Sequence, residues 1–342
     1  MRASERLVLE RLTVTFAKGR RPVVRDVSFE VEPGGSVGLV GESGSGKSLT
    51  LRSVLGLLPT GAAVTGHIRY GDQDLLALSG RDMQRMRGSR IGMVFQDPMS
   101  ALNPILRVGV AIEQVIRSHE TVDKATAHRR AVAIMERVGI RDAEARSRSY
   151  PHQFSGGMRQ RIVIAMALAA NPTLLLADEP TTALDVVVQA AIPRLLDGLR
   201  RQQGMSLLLV SHDFGVVAGV CERVGVMYAG ELVELGNTHE VLRAPRHPYT
   251  RGLVESLPQS GEGERMRSIP GMPPEPGGMP DGCPFAPRCT LATDECRTGI
   301  IPLLQVAPGR WARCLHSDLV EPPDAVIRDA APAPTSVEMA RG

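Results

Sequence analysis

The chain has 342 residues, of which 43% are hydrophobic and 3% aromatic, and a formal net charge of +3. Such a length holds one large α/β core plus an appendage, its interior built from aliphatic side chains. So small a positive surplus argues against a dedicated nucleic-acid binder, which carries a concentrated basic stripe, but leaves local phosphate chemistry open. No run approaches the roughly 18 apolar residues that cross a bilayer. Met1–Ala3 leads into Ser4–Glu5–Arg6 without an apolar leader, so a cytosolic chain is expected.

In chain order, Val8–Val14 and Val27–Val31 alternate apolar and polar residues as two strands, with turns at Gly19 and Pro33–Gly35. Val37–Val40 is a short apolar run suited to a buried strand. A glycine-rich loop follows, and Ser48–Leu58 has helical spacing until Pro59. Ile91–Phe95 reads as another buried strand, closing at Gln96–Asp97–Pro98. From about 106 to 170 long helical periods, including Ala125–Val138 and Met158–Ala170, predict a helical subdomain inserted into the core. Thr173–Ala177, Ser206–Val210 and Arg223–Tyr228 are expected strands. Leu184–Leu199 is an expected helix, kinked or broken at Pro193. Strands alternating with helices imply a largely parallel sheet covered on both faces. After about residue 245, prolines such as Pro245, Pro258, Pro270 and Pro284 disfavour long regular elements. The stretch from Asp318 reads as a disordered tail.

Gly41–Glu42–Ser43–Gly44–Ser45–Gly46–Lys47–Ser48 matches the phosphate-loop pattern GxxxxGKS/T between a strand and a helix. Glycines let the backbone wrap phosphate oxygens with successive N–H groups, and the following helix adds its dipole. Lys47 is suited to the β- and γ-phosphates and the Ser48 hydroxyl to Mg²⁺. The alternative, a chance Gly/Ser-rich turn, does not explain the full match in this context.

Asp178 and Glu179 end an apolar strand, where open α/β sheets bind ligands. Asp178 suits the Mg²⁺ shell, and Glu179 can orient and polarise a water near the γ-phosphate. His212, after the next strand, can hydrogen-bond the γ-phosphate. Gln96, ending its own strand, can sense Mg²⁺ or the water through its amide. A helix-start acidic pair, a packing histidine and a polar strand end are the competing structural readings.

Ser155–Gly156–Gly157–Met158–Arg159–Gln160 resembles the signature motif of ABC-type ATPases, ahead of a helix whose N-terminus can grip a phosphate. The resemblance implies that this turn closes over the phosphate loop of a second subunit, with Ser155, Gly156, Gly157 and Gln160 on the nucleotide. By the same resemblance Gln96 matches the Q-loop, Asp178–Glu179 the Walker B pair, Ala183–Leu184–Asp185 the D-loop and His212 the switch histidine. Phe16 is the candidate for stacking on adenine, with core packing as its alternative. Phe154 stands where the family often has Leu, and Met158 where it often has Gln.

More narrowly, the phosphate-loop wording, Phe95–Pro104 and His247–Pro248–Tyr249–Thr250 look like the ATP-binding subunits of bacterial oligopeptide/dipeptide importers, which include nickel importers. The likeness covers about residues 7–317. It implies a P-loop ABC fold over 7–245, a Pro/Cys-rich C-terminal region over 246–317, and a tail over 318–342. It also implies a second ATPase subunit (related or identical), two transmembrane permease subunits, an extracytoplasmic solute-binding protein, and a place on the cytoplasmic face of the membrane. Rival readings are a nickel or other small-solute importer, a soluble ABC ATPase acting on nucleic acid, and a catalytically weak regulatory subunit.

Cys283, Cys289, Cys296 and Cys314 are separated by gaps of 5, 6 and 17 residues. Four sulfurs suit an Fe–S cluster or tetrahedral zinc, although zinc knuckles use shorter gaps. Unliganded or partly oxidised thiols are the third reading. Certain dipeptide-importer subunits that this region resembles bind [4Fe–4S], so the resemblance implies such a cluster. His316 is a weaker alternative ligand, and Cys221 reads as a small buried hydrophobe.

Overall fold

The computed structural model describes residues 5–16, 22–181, 186–257, 268–275 and 280–323. The expected turn at Gly19, the D-loop residues Ala183, Leu184 and Asp185, and nearly all of the expected tail lie outside them. In chain order the strands are β1 (Leu7–Phe16), β2 (Val24–Val31), β3 (Ser36–Val40), β4 (Ala62–Tyr70), β5 (Gln73–Asp74), β6 (Ile91–Val94), β7 (Leu174–Asp178), β8 (Ser206–Val210), β9 (Arg223–Tyr228), β10 (Glu231–Asn237), β11 (Leu304–Ala307) and β12 (Arg310–Ala312). The helices are α1 (Lys47–Val54), α2 (Gly80–Met86), α3 (Pro98–Ala101), α4 (Val108–His119), α5 (Lys124–Arg137), α6 (Ala143–Arg146), α7 (Gly156–Leu168), α8 (Val186–Gln203), α9 (Phe214–Ala218), α10 (Thr238–Arg243) and α11 (Pro248–Glu255).

Among the described residues the strands form two sheets. One is antiparallel, in the order β2-β1-β4-β5. The other runs β11-β12-β10-β9-β3-β8-β7-β6. Within it, β9, β3, β8, β7 and β6 are mutually parallel. The continuous apolar runs at β3, β7 and β8 are buried at every position, as strands covered on both faces must be. Alternate residues serve the two faces. Leu174, Leu176, Leu208 and Val210 pack in one cluster with β1, β2 and α1. Leu175, Ala177, Leu207 and Leu209 pack in the other with the helices. The expected helical insertion appears as α4 to α7, with Ile112, Ile116, Met135, Ile162 and Ile164 fully buried between its members.

Two expectations change. The first helix stops at Val54, ahead of Pro59, because Gly56 takes a left-handed φ of 61° there and the N–H of Leu57 turns back to the Arg52 carbonyl at 3.0 Å. Of the two outcomes expected at Pro193, a kink or a break, the break does not occur: α8 runs through it, with Ile192 and Leu196 fully buried on either side. That burial outweighs the missing N–H. Beyond residue 245 the regular elements among the described residues are short, as the prolines imply, the longest being α11 with 8 residues. Pro248 sits in the first turn of α11, where its missing N–H costs nothing. Tyr249, Val254 and Phe285 join the main core, and β12 pairs with β10. Asp318 is held by Arg246 at 3.1 Å. Among the described residues no helix is long and apolar enough to cross a membrane.

Candidate active site

Because β3, β6, β7 and β8 are parallel, the residues that follow them emerge at one edge of the sheet. The phosphate loop leaves β3 through Gly41. Its φ of 148° and the Met227 carbonyl, which a Cβ would approach to 2.1 Å, both demand glycine. Gly46, at φ 94°, turns the chain into α1 and leaves the first N–H groups of that helix facing the loop. Ser43 and Gly44 are exposed at the crown, whereas Ser45 and Lys47 are buried. The Lys47 Nζ donates to the Gly41 and Glu42 carbonyls at 2.7 and 2.9 Å. Burial pushes the Lys47 pKa down, opposed by the nearby charges of Glu179, Asp178 and Glu42. A cation is thus held in the loop by its own carbonyls.

The Ser48 hydroxyl donates to Asp178 Oδ1 at 2.6 Å, so the two oxygens expected at Mg²⁺ share one spot. Asp178 is fully buried, and Arg52 donates to its other oxygen at 3.1 and 3.2 Å. Glu179 follows with φ 45°, a left-handed conformation that costs a non-glycine residue on the order of 1 kcal/mol. Its N–H donates to the Val210 carbonyl at 3.0 Å, tying it to the end of β8. Gln96 Nε2 donates to Glu179 Oε2 at 3.3 Å, and His212 Nδ1 lies 3.4 Å from the same oxygen. Two residues from two other strand ends therefore converge on the Glu179 carboxylate.

The signature turn stands on the helical subdomain. Ser155 caps α7, its hydroxyl accepting from the Met158 N–H at 3.4 Å. Ser155 and Gly156 are exposed, while Phe154 beneath them is buried, an apolar anchor. Gln160 differs from its neighbours: it is fully buried, and its side-chain amide has no hydrogen-bond partner among the described residues. Phe16 ends the described part of β1, half-buried and paired in register with Ala62. Reading the sequence missed Arg52, whose position one turn beyond Ser48 on the same helix face was an available signal. It also missed Tyr249 and Arg288 as neighbours of the loop. The Glu42 N–H donates to the Tyr249 hydroxyl at 2.8 Å, and Arg288 donates to both Glu42 carboxylate oxygens at 2.9 and 3.0 Å. Arg288 is distant in sequence from Glu42, and no local pattern announces it.

The expected [4Fe–4S] cluster, and zinc with it, must be withdrawn. Cys283, Cys289, Cys296 and Cys314 do border one cavity, but its volume is about 10 Å³, room for one water at most. Among the described residues no group of three or more His, Cys, Asp or Glu side chains is placed to hold a metal ion. Burial pushes the Cys283 thiol up to about 11 and Cys314 to about 12, and raises Cys289 as well. His316 pairs instead with Thr293, Nε2 to hydroxyl at 3.2 Å. Cys221 is buried in the main core.

Comparison with known proteins points to one family. A model of the ABC transporter family matches residues 24–182, and one of the oligopeptide/dipeptide transporter C-terminal region matches 233–296. The chain is 45% identical to the oligopeptide transport ATP-binding protein OppD of Bacillus subtilis, over 95% of this chain and 94% of that one. It is 49% identical to OppD of Mycobacterium tuberculosis over 90% of its own length, and spans only about half, 51%, of that relative. A dimeric structure of the ATP-binding cassette MJ0796 in a post-hydrolysis state bound to ADP and Pi superposes with a TM-score of 0.60. That cassette is 28% identical, and the match covers 68% of this chain and 98% of MJ0796. With a phosphate loop, a strand-end acidic pair and a serine-capped signature helix in one molecule, and relatives of this likeness, the chain belongs to the ATP-binding subunits of the oligopeptide/dipeptide family of ABC transporters.

Proposed function

We propose that the chain binds and hydrolyses Mg-ATP to power an importer of oligopeptides or dipeptides. The observation that carries this reading is the convergence of Lys47, Ser48, Asp178, Glu179, Gln96 and His212 on one sheet edge. Loop N–H groups and Lys47 take the phosphates, the lysine exchanging loop carbonyls for phosphate oxygens. Ser48 and Asp178 would hold the Mg²⁺ that arrives with ATP, which offsets phosphate charge. Glu179 orients and deprotonates the attacking water, with Gln96 and His212 fixing its carboxylate. Phe16 stacks on the adenine.

Ser155 and Gly156, exposed on the helical subdomain, close with Gly157 over the nucleotide of a second ATPase subunit. The dimeric arrangement of the related cassette, with ADP and Pi bound, supports this. Gln160, being buried, supports the turn from beneath. An apolar groove of about 460 Å³, lined by Leu55, Leu57, Phe95, Ala101, Val163 and Met166, separates the core from the helical subdomain. It is the natural seat for a helix from a permease subunit, and Gln96 follows directly on its Phe95 wall. We divide the chain into an ATP-binding domain over 7–245, with the helical insert at about 106–170, and a Pro/Cys-rich C-terminal region over 246–317. The C-terminal match and the peptide-transport relatives favour peptide over nickel as cargo.

The test is reconstitution of the full chain with permease and solute-binding protein in vesicles. We expect ATP turnover to rise with short peptides. Stimulation by nickel and none by peptides would replace the peptide reading with the nickel one.

A further inference from the structure

We infer that Arg288, in the C-terminal region, is a positioning residue for the phosphate loop: it fixes and neutralises the Glu42 carboxylate beside the phosphate site and so raises the loop's affinity for ATP. This rests on the reading of that loop as the ATP site. All five N–H bonds of the guanidinium are used: both amino groups on the Glu42 carboxylate, one also on the Tyr228 hydroxyl, the other also on the Ile269 carbonyl, and Nε on the Pro270 carbonyl. The side chain is 5% exposed, and its guanidinium lies 5.7 Å from the ring centres of Tyr228 and Phe285. A cation so enclosed is built for one partner in one geometry.

The loop is held from the other side of Glu42 as well. Its N–H donates to the Tyr249 hydroxyl. Tyr249 is fixed by a short chain of buried groups that explains the His-Pro-Tyr-Thr segment. The Glu234 carboxylate, fully buried and bound to Arg310 at 2.8 Å, accepts the N–H groups of Arg246 and His247. His247 in turn caps α11, its Nδ1 accepting the Tyr249 N–H at 3.1 Å. That role needs a neutral ring, and burial drives its pKa down to about 3. Tyr249, Tyr228 and Phe285 pack together, with ring centres 4.5 to 5.5 Å apart.

Phosphates and an unneutralised carboxylate repel. Glu42 already acts on Lys47 through space, so with Arg288 removed its charge faces the polyphosphate uncompensated. Binding should weaken while the residues around the attacking water stay in place.

The experiment measures binding of a fluorescent ATP analogue and steady-state Mg-ATP turnover on the full chain, for wild type, Lys47→Ala, Arg288→Ala and Arg288→Ala with Glu42→Gln, with thermal melts in parallel. We expect Arg288→Ala to raise Kd and KM about tenfold with kcat within about twofold, the scale of one lost charge-assisted contact. Removing the Glu42 charge should restore both constants, because repulsion and not lost structure is the cause. If Arg288→Ala fails to fold, Arg288→Lys, which keeps the charge and loses the fork, should raise KM about threefold. Wild-type constants in the single variant, or a raised KM that Glu42→Gln leaves unchanged, would overturn the inference. A wild-type chain that binds no more nucleotide than Lys47→Ala would overturn the ATP-site reading, and this inference with it.

Discussion

The nucleotide edge and the four-cysteine cavity are both places where distant, chemically potent side chains gather, and the fold treats them in opposite ways. At the nucleotide edge charge is kept and matched: Lys47 on loop carbonyls, Asp178 between Ser48 and Arg52, Glu179 between Gln96 and His212. Around Cys283, Cys289 and Cys314 burial dominates and the thiols stay protonated. Clustering of reactive residue types is therefore not enough to make a reactive site. What surrounds them decides whether the charged form survives.

The sharpest way to break this contrast is at Lys47. Lys47→Ala leaves the loop without its buried cation, and we expect ATP affinity to fall by about 10² or more, read by nucleotide binding, with turnover lost alongside. At the cysteines we expect the reverse of reactivity. At pH 8 a thiol with a pKa of about 11 carries roughly 100-fold less thiolate than an ordinary one at 9.0. Alkylation of Cys283 should be slower than that of a model thiol by at least that factor, and should quicken as pH rises toward 11. Prompt alkylation at pH 8 would show a thiolate there and erase the difference between the two regions.

A third cluster, on the helical subdomain, lies between these extremes. His128 bridges Glu113 of α4 at 2.8 Å and Glu144 of α6 at 3.2 Å, and those partners raise its pKa above the ordinary 6.5. A raised folded-state pKa stabilises the fold fully below 6.5 and loses that contribution as pH climbs through the higher folded value. His128→Gln should thus lower the melting temperature at pH 5.5 by about 1–2 °C and hardly at all at pH 9, the small scale of a partly exposed pair. An equal loss at both pH values would mean that packing, not charge, is what the histidine supplies.

Much of the nucleotide edge was legible because its information is local. The phosphate loop carries its glycines, lysine and serine in one segment, and the strands that precede Gln96, Glu179 and His212 are continuous apolar runs. Parallel pairing then brings those strand ends together without further instruction. The first helix was harder to bound, since Gly56 stops it before the more conspicuous Pro59. Strands β4 and β10 escaped notice because their partners, β1 and β9, define them more than their own patterns do. The cysteines misled for a physical reason: spacing can say that four sulfurs meet, but not how small the meeting place is. The grip of Arg288 on Glu42 is a tertiary fact that no spacing rule reaches.

Glu179 is where the claim of a charge-keeping, water-activating edge is most exposed. The measurement is nucleotide binding and ATP turnover of Glu179→Gln in the complete transporter. We expect ATP to bind as in wild type while hydrolysis falls by about 10²–10⁴, the usual contribution of a positioned general base. Turnover at the wild-type rate would contradict the role of the carboxylate on which Gln96 and His212 converge.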